Sequence, residues 1–308
     1  MKESKIAIIN KRTLSEIHRD HGLPAPAHPL ISLIDWPKHQ IPKNNFSGAV
    51  VSGFYRITCN FGMSGKSKYG QGYYDYSDGG MTFVAPTQVI GACAYDVADS
   101  WSMFTLLIHP DFLWNYPLAK KIKQYGFFSY NTNEALHLSE KEQATLVTIF
   151  KNIGEELDSR IDEVSQDVIV AQIELLLSYA NRFYKRQFIT RKIVNSDLLQ
   201  KMEDILEEYL TGDKTLNDGI PTVHYLAERL NVSPSYLSDM VRSVTGQSAL
   251  GVIHQKLIEK AKEKLSGTNL SVSEVAYDLG FGHPSSFTKL FKSKTKLSPL
   301  DFRKSFNN

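Results

Sequence analysis

"EVAYDLGFGHPSSFTKLFK", Glu274 to Lys292, is the stretch on which the fold turns. Val275, Ala276 and Leu279 fall on one face of a first helical run, and Phe287, Leu290 and Phe291 on one face of a second. Between them stands Gly-Phe-Gly-His-Pro. Gly280 takes a positive φ at low steric cost, Phe281 returns to the core, and Pro284 suits a first helical turn, where its missing N–H costs nothing. The segment therefore reads as helix, tight turn, helix. The outer face of its second helix carries Ser285, Ser286, Thr288, Lys289 and Lys292.

The same pattern stands about fifty residues upstream. Val223, Leu226, Ala227, Leu230 and Val232 match Val272, Val275, Ala276, Leu279 and Phe281 at an offset of 49. Past the turn, Leu237, Met240, Val241, Thr245, Ser248 and Leu250 match Phe287, Leu290, Phe291, Thr295, Ser298 and Leu300 at an offset of 50, which puts one extra residue in the second turn. Thr222 is the expected N-cap of the first copy, and Ser271 with Glu274 forms a capping box in the second. Asn231 occupies the positive-φ position of the first turn, and Pro234 opens the helix that follows. That helix shows Ser235, Tyr236, Ser238, Asp239 and Arg242 on its outer face. Hydroxyls and cations on two projecting helices suit base edges and phosphates in a major groove.

A helix from about Ser248 to Leu265 joins the copies, with Val252, Leu257, Ile258, Ala261 and Leu265 as its apolar side. It spans roughly 27 Å at about 1.5 Å per residue. That is of the order needed to hold two reading helices ~34 Å apart on one side of a duplex, so that one chain reads two successive major grooves.

The first 138 residues have a different texture. "GAVVSGFYRITCNF", "MTFVAPTQVIGACAY" and "WSMFTLLI" are rich in β-branched and aromatic residues and are punctuated by Gly, Pro, Ser and Asn. They predict an antiparallel β-barrel or sandwich. Tyr69, Tyr73, Tyr74, Tyr76 and Phe83 are candidates to line an apolar ligand pocket, and equally to be barrel core or an interface. Helical periodicity takes over at Ser139. Leu146, Ile149, Phe150, Ile153 and Leu157 form one stripe; Ile169, Ile173, Leu176, Leu177, Ala180 and Tyr184 form the next. These predict a helical hairpin, for packing or dimerisation, over 139–186. The basic, aperiodic stretch 187–195 reads as a linker, and 196–308 as an all-helical domain in which "TGDKTLNDGIP" is a loop.

Composition bounds the rest. The chain has 308 residues, 42% of them hydrophobic, enough for a sizeable core, and a net charge of +2. From Asn217 to Asn308 there are 12 Lys/Arg against 8 Asp/Glu, a modest basic bias. Cys59 and Cys93 make neither a metal site nor a disulfide framework and read as reduced thiols of a cytoplasmic protein. The apolar run near the N-terminus is too short for a secretion signal, and none is long enough to span a membrane. There is no Gly-x-Ser-x-Gly, no phosphate loop and no recognisable Cys–His pairing, and "GQGYYDY" lacks the third glycine of a dinucleotide fingerprint.

The residues from about Ser196 to Phe306 resemble the DNA-binding domain of AraC/XylS-type bacterial transcription regulators. The likeness lies in Val272, Val275, Ala276, Gly280, Phe281, Ser285, Phe287, Phe291, Lys292, Ser298, Pro299, Phe302 and Arg303. Lys296 departs from it, standing where the family usually has Gly. The resemblance implies seven helices, two helix-turn-helix units and a linking helix, with transcriptional control that is often exerted by a dimer. "YDYSDGGMTFVAPTQ" looks like the strand, turn, strand, Pro passage of the cupin-like sensing barrels that the family often carries. Metal-binding cupins need His-x-His, which does not occur here, and His109 reads as a structural or capping histidine, so no metal and no cofactor are expected.

The expected class is therefore α+β: a cupin-like β-barrel over 1–138, the helical hairpin, the linker, and a domain of two helix-turn-helix units. The expected function is a non-enzymatic, sequence-specific transcription regulator. Its partners would be double-stranded promoter DNA, a small-molecule effector, a second copy of the chain and RNA polymerase, with no membrane. Two alternatives are a cupin-type enzyme carrying a DNA-binding module, and a scaffold that dimerises through its hairpin and binds DNA only weakly.

Overall fold

The computed structural model describes residues 8–11, 13–39, 49–64, 66–69, 72–75, 80–90, 96–131, 134–159, 164–190, 192–212 and 214–305. The chain divides into two compact units, Met1–Gln187 and Phe188–Asn308.

The first unit is built on strands β1 (Ile8–Lys11), β2 (Ile31–Asp35), β3 (Ala49–Ser52), β4 (Tyr55–Ser64), β5 (Lys66–Tyr69), β6 (Gly72–Asp75), β7 (Gly80–Val84), β8 (Val89–Ile90), β9 (Asp96–Ile108) and β10 (Leu136–His137). Its helices are α1 (Leu14–Asp20), α2 (Leu118–Lys121), α3 (Glu140–Asp158) and most of α4 (Ser165–Thr190). The central sheet is five-stranded and antiparallel, in the order β10-β7-β4-β9-β2. β1-β3-β8 form a three-stranded sheet and β5-β6 a separate hairpin.

Alternation along β4 sorts the faces of the central sheet. Ile57 and Cys59 pair with Leu106 and Phe104 of β9 and with Phe83 and Met81 of β7, all buried on one face. Phe150 of α3 stacks on Phe104, with centroids 5.4 Å apart, and Gly154 brings α3 close enough to β2 that a Cβ there would meet Leu33 at 3.1 Å. Phe83 is enclosed by Phe127, Phe128 and Tyr184. The opposite face carries Thr58, Asn60 and Thr105 together with Trp36, whose indole Nε1–H donates to Thr105 Oγ1 at 2.9 Å.

The strand-rich texture does not close into the expected barrel, because the central sheet is open. The reason lies at the β10 edge, where side chains stand in for another strand. The His137 amide donates to Gln187 Oε1 (2.9 Å), the His137 carbonyl accepts from Arg186 (2.9 Å), and the Ala135 carbonyl accepts from Gln187 Nε2 (3.2 Å). With its edge groups satisfied by α4 and one face covered by helices, the sheet has no need of a further strand there. Short-range alternation predicts strands; it carries no record of which edge a distant helix will cover.

His109 takes the capping role expected of it: its ring accepts from the Asp111 amide (3.3 Å) ahead of a short 3-10 turn at Pro110–Leu113. Cys59 is buried and unpaired, and burial pushes its thiol well up. Cys93 lies outside the described residues.

The second unit holds α5 (Lys192–Thr211), α6 (Lys214–Asp218), α7 (Val223–Arg229), α8 (Pro234–Thr245), α9 (Ala249–Gly267), α10 (Val272–Asp278), α11 (Pro284–Thr295) and α12 (Pro299–Lys304). The 187–195 stretch, where the units divide between Gln187 and Phe188, is helical up to Thr190 and again from Lys192, and the Asn195 side-chain Nδ2 donates to the Phe188 carbonyl at 2.6 Å. The expected loop after α5 contains α6, which buries Thr215. On α9 the buried stripe runs through Ile253 rather than Val252, with Ala249, Leu257, Ile258, Ala261 and Leu265.

Candidate nucleic-acid interface

The duplication seen in the sequence is repeated in the backbone. α7 and α10 have 7 residues each, and α8 and α11 have 12 each. Thr222 caps α7 through the Tyr225 amide, and Ser271 with Glu274 forms the capping box of α10. Hydrogen bonds to the Ser271 amide and hydroxyl hold the Glu274 carboxyl below its ordinary value. In the turns, Asn231 and Gly280 have φ of 56° and 83°. The next amides close equivalent bonds, Val232 to Ala227 at 3.0 Å and Phe281 to Ala276 at 2.9 Å. Pro234 and Pro284 each open the second helix, which ends on a left-handed residue, Gly246 (φ 74°) in one copy and Lys296 (φ 66°) in the other. Lys296 thus adopts the backbone that glycine would supply, at a steric cost of about 1 kcal/mol.

Each second helix is anchored by its inner face. Leu237, Met240 and Val241 are fully buried in α8. In α11 Phe287 and Phe291 are fully buried, in an aromatic chain with Phe281 and Phe302 at centroid distances of 5.3 to 5.7 Å. The outer faces are what remains. On α11, Ser285, Ser286, Lys289 and Lys292 are exposed and Thr288 is half-buried. On α8, Arg242 is exposed and Ser235, Ser238 and Asp239 are half-buried.

Tyr236 differs from its expected place. It is only 8% exposed, and its ring packs edge-on against Phe188 at 5.2 Å. Its position one turn into α8 faces the unit's interior, a contact with a residue 48 positions away that helical periodicity within α8 does not reveal.

The polar groups on these faces differ in how far the protein itself satisfies them. Ser238 and Thr288, at equivalent positions, donate their hydroxyls to the carbonyls of Pro234 (2.8 Å) and Pro284 (3.0 Å), which leaves the oxygens as acceptors. Ser285 and Ser286 spend no side-chain hydrogen bond among the described residues. Arg242, Lys289 and Lys292 form no ion pair among the described residues, while Lys260 and Lys264, on the linking helix, are paired with Glu207 (2.6 Å) and Asp278 (2.5 Å). The hydrogen bond to Glu207 raises the Lys260 pKa. α8 is capped by Ser233 through the Tyr236 amide, whereas His283 gives α11 no side-chain cap, so the positive N-terminal end of α11 is open.

Of the residues read as a ligand pocket, Phe83 is 5% exposed within the aromatic cluster of the first unit. Tyr69 and Tyr74 belong to the β5-β6 hairpin, but their side chains lie outside the described residues, and so does Tyr76. A cleft of about 670 Å³ lies elsewhere, beside β2 and α3, and is lined by His18, Asp35, Lys38, Lys151, Glu155 and Asp158 among others. His18 is fixed there by Pro24 O (2.5 Å) and Ser32 Oγ (2.8 Å). No helix among the described residues is long and apolar enough to cross a membrane.

The C-terminal unit carries a DNA-binding domain of helix-turn-helix type, and residues 226–305 match the family described as "Helix-turn-helix domain". The helix-turn-helix-type transcriptional regulator YfiF of Bacillus subtilis is 29% identical over 143 residues, 46% of this chain and 42% of its own length. The Msm operon regulatory protein of Streptococcus mutans is 34% identical over 86 residues, 28% of this chain and 31% of its own. Among solved structures, the C-terminal domain of the two-component response regulator yesN from Fusobacterium nucleatum has 30% identity, covers 35% of this chain and 98% of that one, and has a TM-score of 0.31. The chain spans less than two thirds of the length of these curated relatives. The likeness is to helix-turn-helix regulators, a non-catalytic class, in line with the expectation that the chain is not an enzyme.

Proposed function

We propose that this chain is a sequence-specific transcription regulator of the AraC type, which sets α8 and α11 into two adjacent major grooves of one duplex. The carrying observation is the duplicated helix pair whose second helices each bury an apolar face and turn outward half-buried or exposed hydroxyls with exposed cations, Arg242 on α8 and Lys289 and Lys292 on α11. Ser285, Ser286, Thr288, Lys289 and Lys292 would read and grip one groove; Ser235, Ser238, Asp239 and Arg242 the other. Ser238 and Thr288, with their hydrogens committed to backbone, would accept from an adenine or cytosine amino group. The open N-terminus of α11 favours a phosphate.

Regulation by a small molecule belongs to the same reading. Asn60, fully buried on the Thr58–Thr105 face of the central sheet, leaves both side-chain polar atoms without a partner. An orphaned buried amide is costly, and a bound polar ligand would satisfy it. A homodimer, formed on the α3–α4 hairpin, fits the exposed Val168 and Leu175 of α4 and Val164 just before it. RNA polymerase is the natural further partner of a promoter-bound regulator, and the cytoplasm its place of action.

Selection of bound duplexes from a random pool tests the reading. The expected product is a motif with two conserved blocks whose centres lie roughly 10–10.5 base pairs apart. A single block, or no enrichment over input, would refute it.

A further inference from the structure

The two helix pairs meet at a point where backbone lies on backbone. Both copies place a left-handed residue after their first helix. Asn231 shows that this conformation accepts a side chain, and it is exposed. Gly280 is under a second constraint. A Cβ there would lie 2.6 Å from the Gly219 carbonyl carbon, 2.8 Å from its oxygen and 2.9 Å from the Ile220 nitrogen. Space, and not only φ, demands glycine at 280.

What Gly280 touches is the approach to the first pair. Gly219, itself at φ 78°, lies three residues before Thr222, the cap of α7. Its carbonyl accepts from the Tyr209 hydroxyl of α5 at 3.1 Å. Tyr209 is 3% exposed and stands edge-on to Tyr225 of α7 at 4.9 Å. The ring closes through α9, which is tied to α5 by Lys260–Glu207 and to α10 by Lys264–Asp278.

We propose that the Gly219–Gly280 contact, braced by Tyr209, is the joint that fixes distance and rotational phase between α8 and α11. The inference rests on the two-groove reading above. These are positioning residues, and none of them belongs to the DNA-facing set. Because the joint holds the second reading helix in place before DNA arrives, its docking is intramolecular and needs little further ordering. A chain so built binds two half-sites tightly at one spacing and loses that advantage at others.

The test uses the full-length protein and fluorescence anisotropy on three duplexes: the selected two-block motif, the same motif with one block scrambled, and the motif with two base pairs inserted between blocks. The insertion turns one block by roughly 70° about the axis. Wild type is expected to prefer the intact motif by at least ~30-fold over either altered duplex. Gly280→Asn, which supplies the residue that the first copy tolerates, keeps the left-handed turn but fills the contact. It should lower affinity for the intact motif at least ~10-fold, change single-block affinity less than about 2-fold, and flatten the spacing penalty. Tyr209→Phe, which removes only the brace, should lower the two-block preference about 2- to 5-fold, and Asn231→Gly should leave it unchanged.

Gly280→Asn with the wild-type preference, or with equal losses on all duplexes, would overturn the proposal. If that variant does not fold, an unaltered preference in Tyr209→Phe overturns it instead. Wild type binding one block as tightly as two would sink the two-groove reading itself, an outcome distinct from a failure of the joint.

Discussion

Lys296 holds a conformation its side chain resists. The first copy has Gly246 at the equivalent position, yet Lys296 sits at φ 66° with only an exposed 3.3 Å bond from its ammonium to the Ser293 carbonyl in return. Lys296→Gly is therefore expected to stabilise the second helix pair by no more than about 0.5 kcal/mol, the relief of left-handed strain being largely offset by the extra chain entropy of glycine. Thermal denaturation would show it as a rise in Tm. Glu274 gives a pH signature. Its folded pKa is depressed, so its contribution is present above the ordinary carboxyl range and is lost as pH falls through the folded value. The protection factors of amides in the first turn of α10, corrected for the slowing of intrinsic exchange in acid, should fall as pH drops below the ordinary carboxyl range, and Glu274→Gln should abolish that fall. Both residues were legible in the sequence, one as a capping-box partner and one as a misfit. The burial of Tyr236 was not, because it depends on Phe188, far away in the chain.

Each helix pair is held by what lies between its helices. Phe287 is fully enclosed and touches both Phe281 and Phe291, so Phe287→Ala should cost roughly 3–5 kcal/mol and abolish two-block binding. The measurement is chemical denaturation together with anisotropy on the selected motif; retained two-block binding would mean that α11 is not a reading helix. The helical elements were the most legible part of the molecule. The i, i+3, i+4 spacing, the caps and Pro284 all point one way, and the structure agrees with them almost residue by residue. Strands were legible as strands, but their partners were not. A two-residue edge strand whose carbonyls and amides are taken by Gln187 and Arg186 leaves no trace in local alternation.

For the whole molecule the reading predicts electrostatics of a particular kind. Affinity should fall linearly in log–log form with salt as phosphate-bound cations are released. Lys289→Ala should weaken the selected motif more than unrelated DNA. An equal loss on both, with a salt slope reduced by about 1, would assign Lys289 to phosphate instead. Titration at several salt concentrations separates the two.

The joint at Gly219 has a consequence for exchange between the copies. Two copies built on one pattern carry different demands: the first accepts an exposed asparagine at its turn, and the second cannot, because a neighbouring peptide occupies the space. A chimera with the copies exchanged would bring asparagine where only hydrogen fits. The halves look alike but are not spare parts for one another.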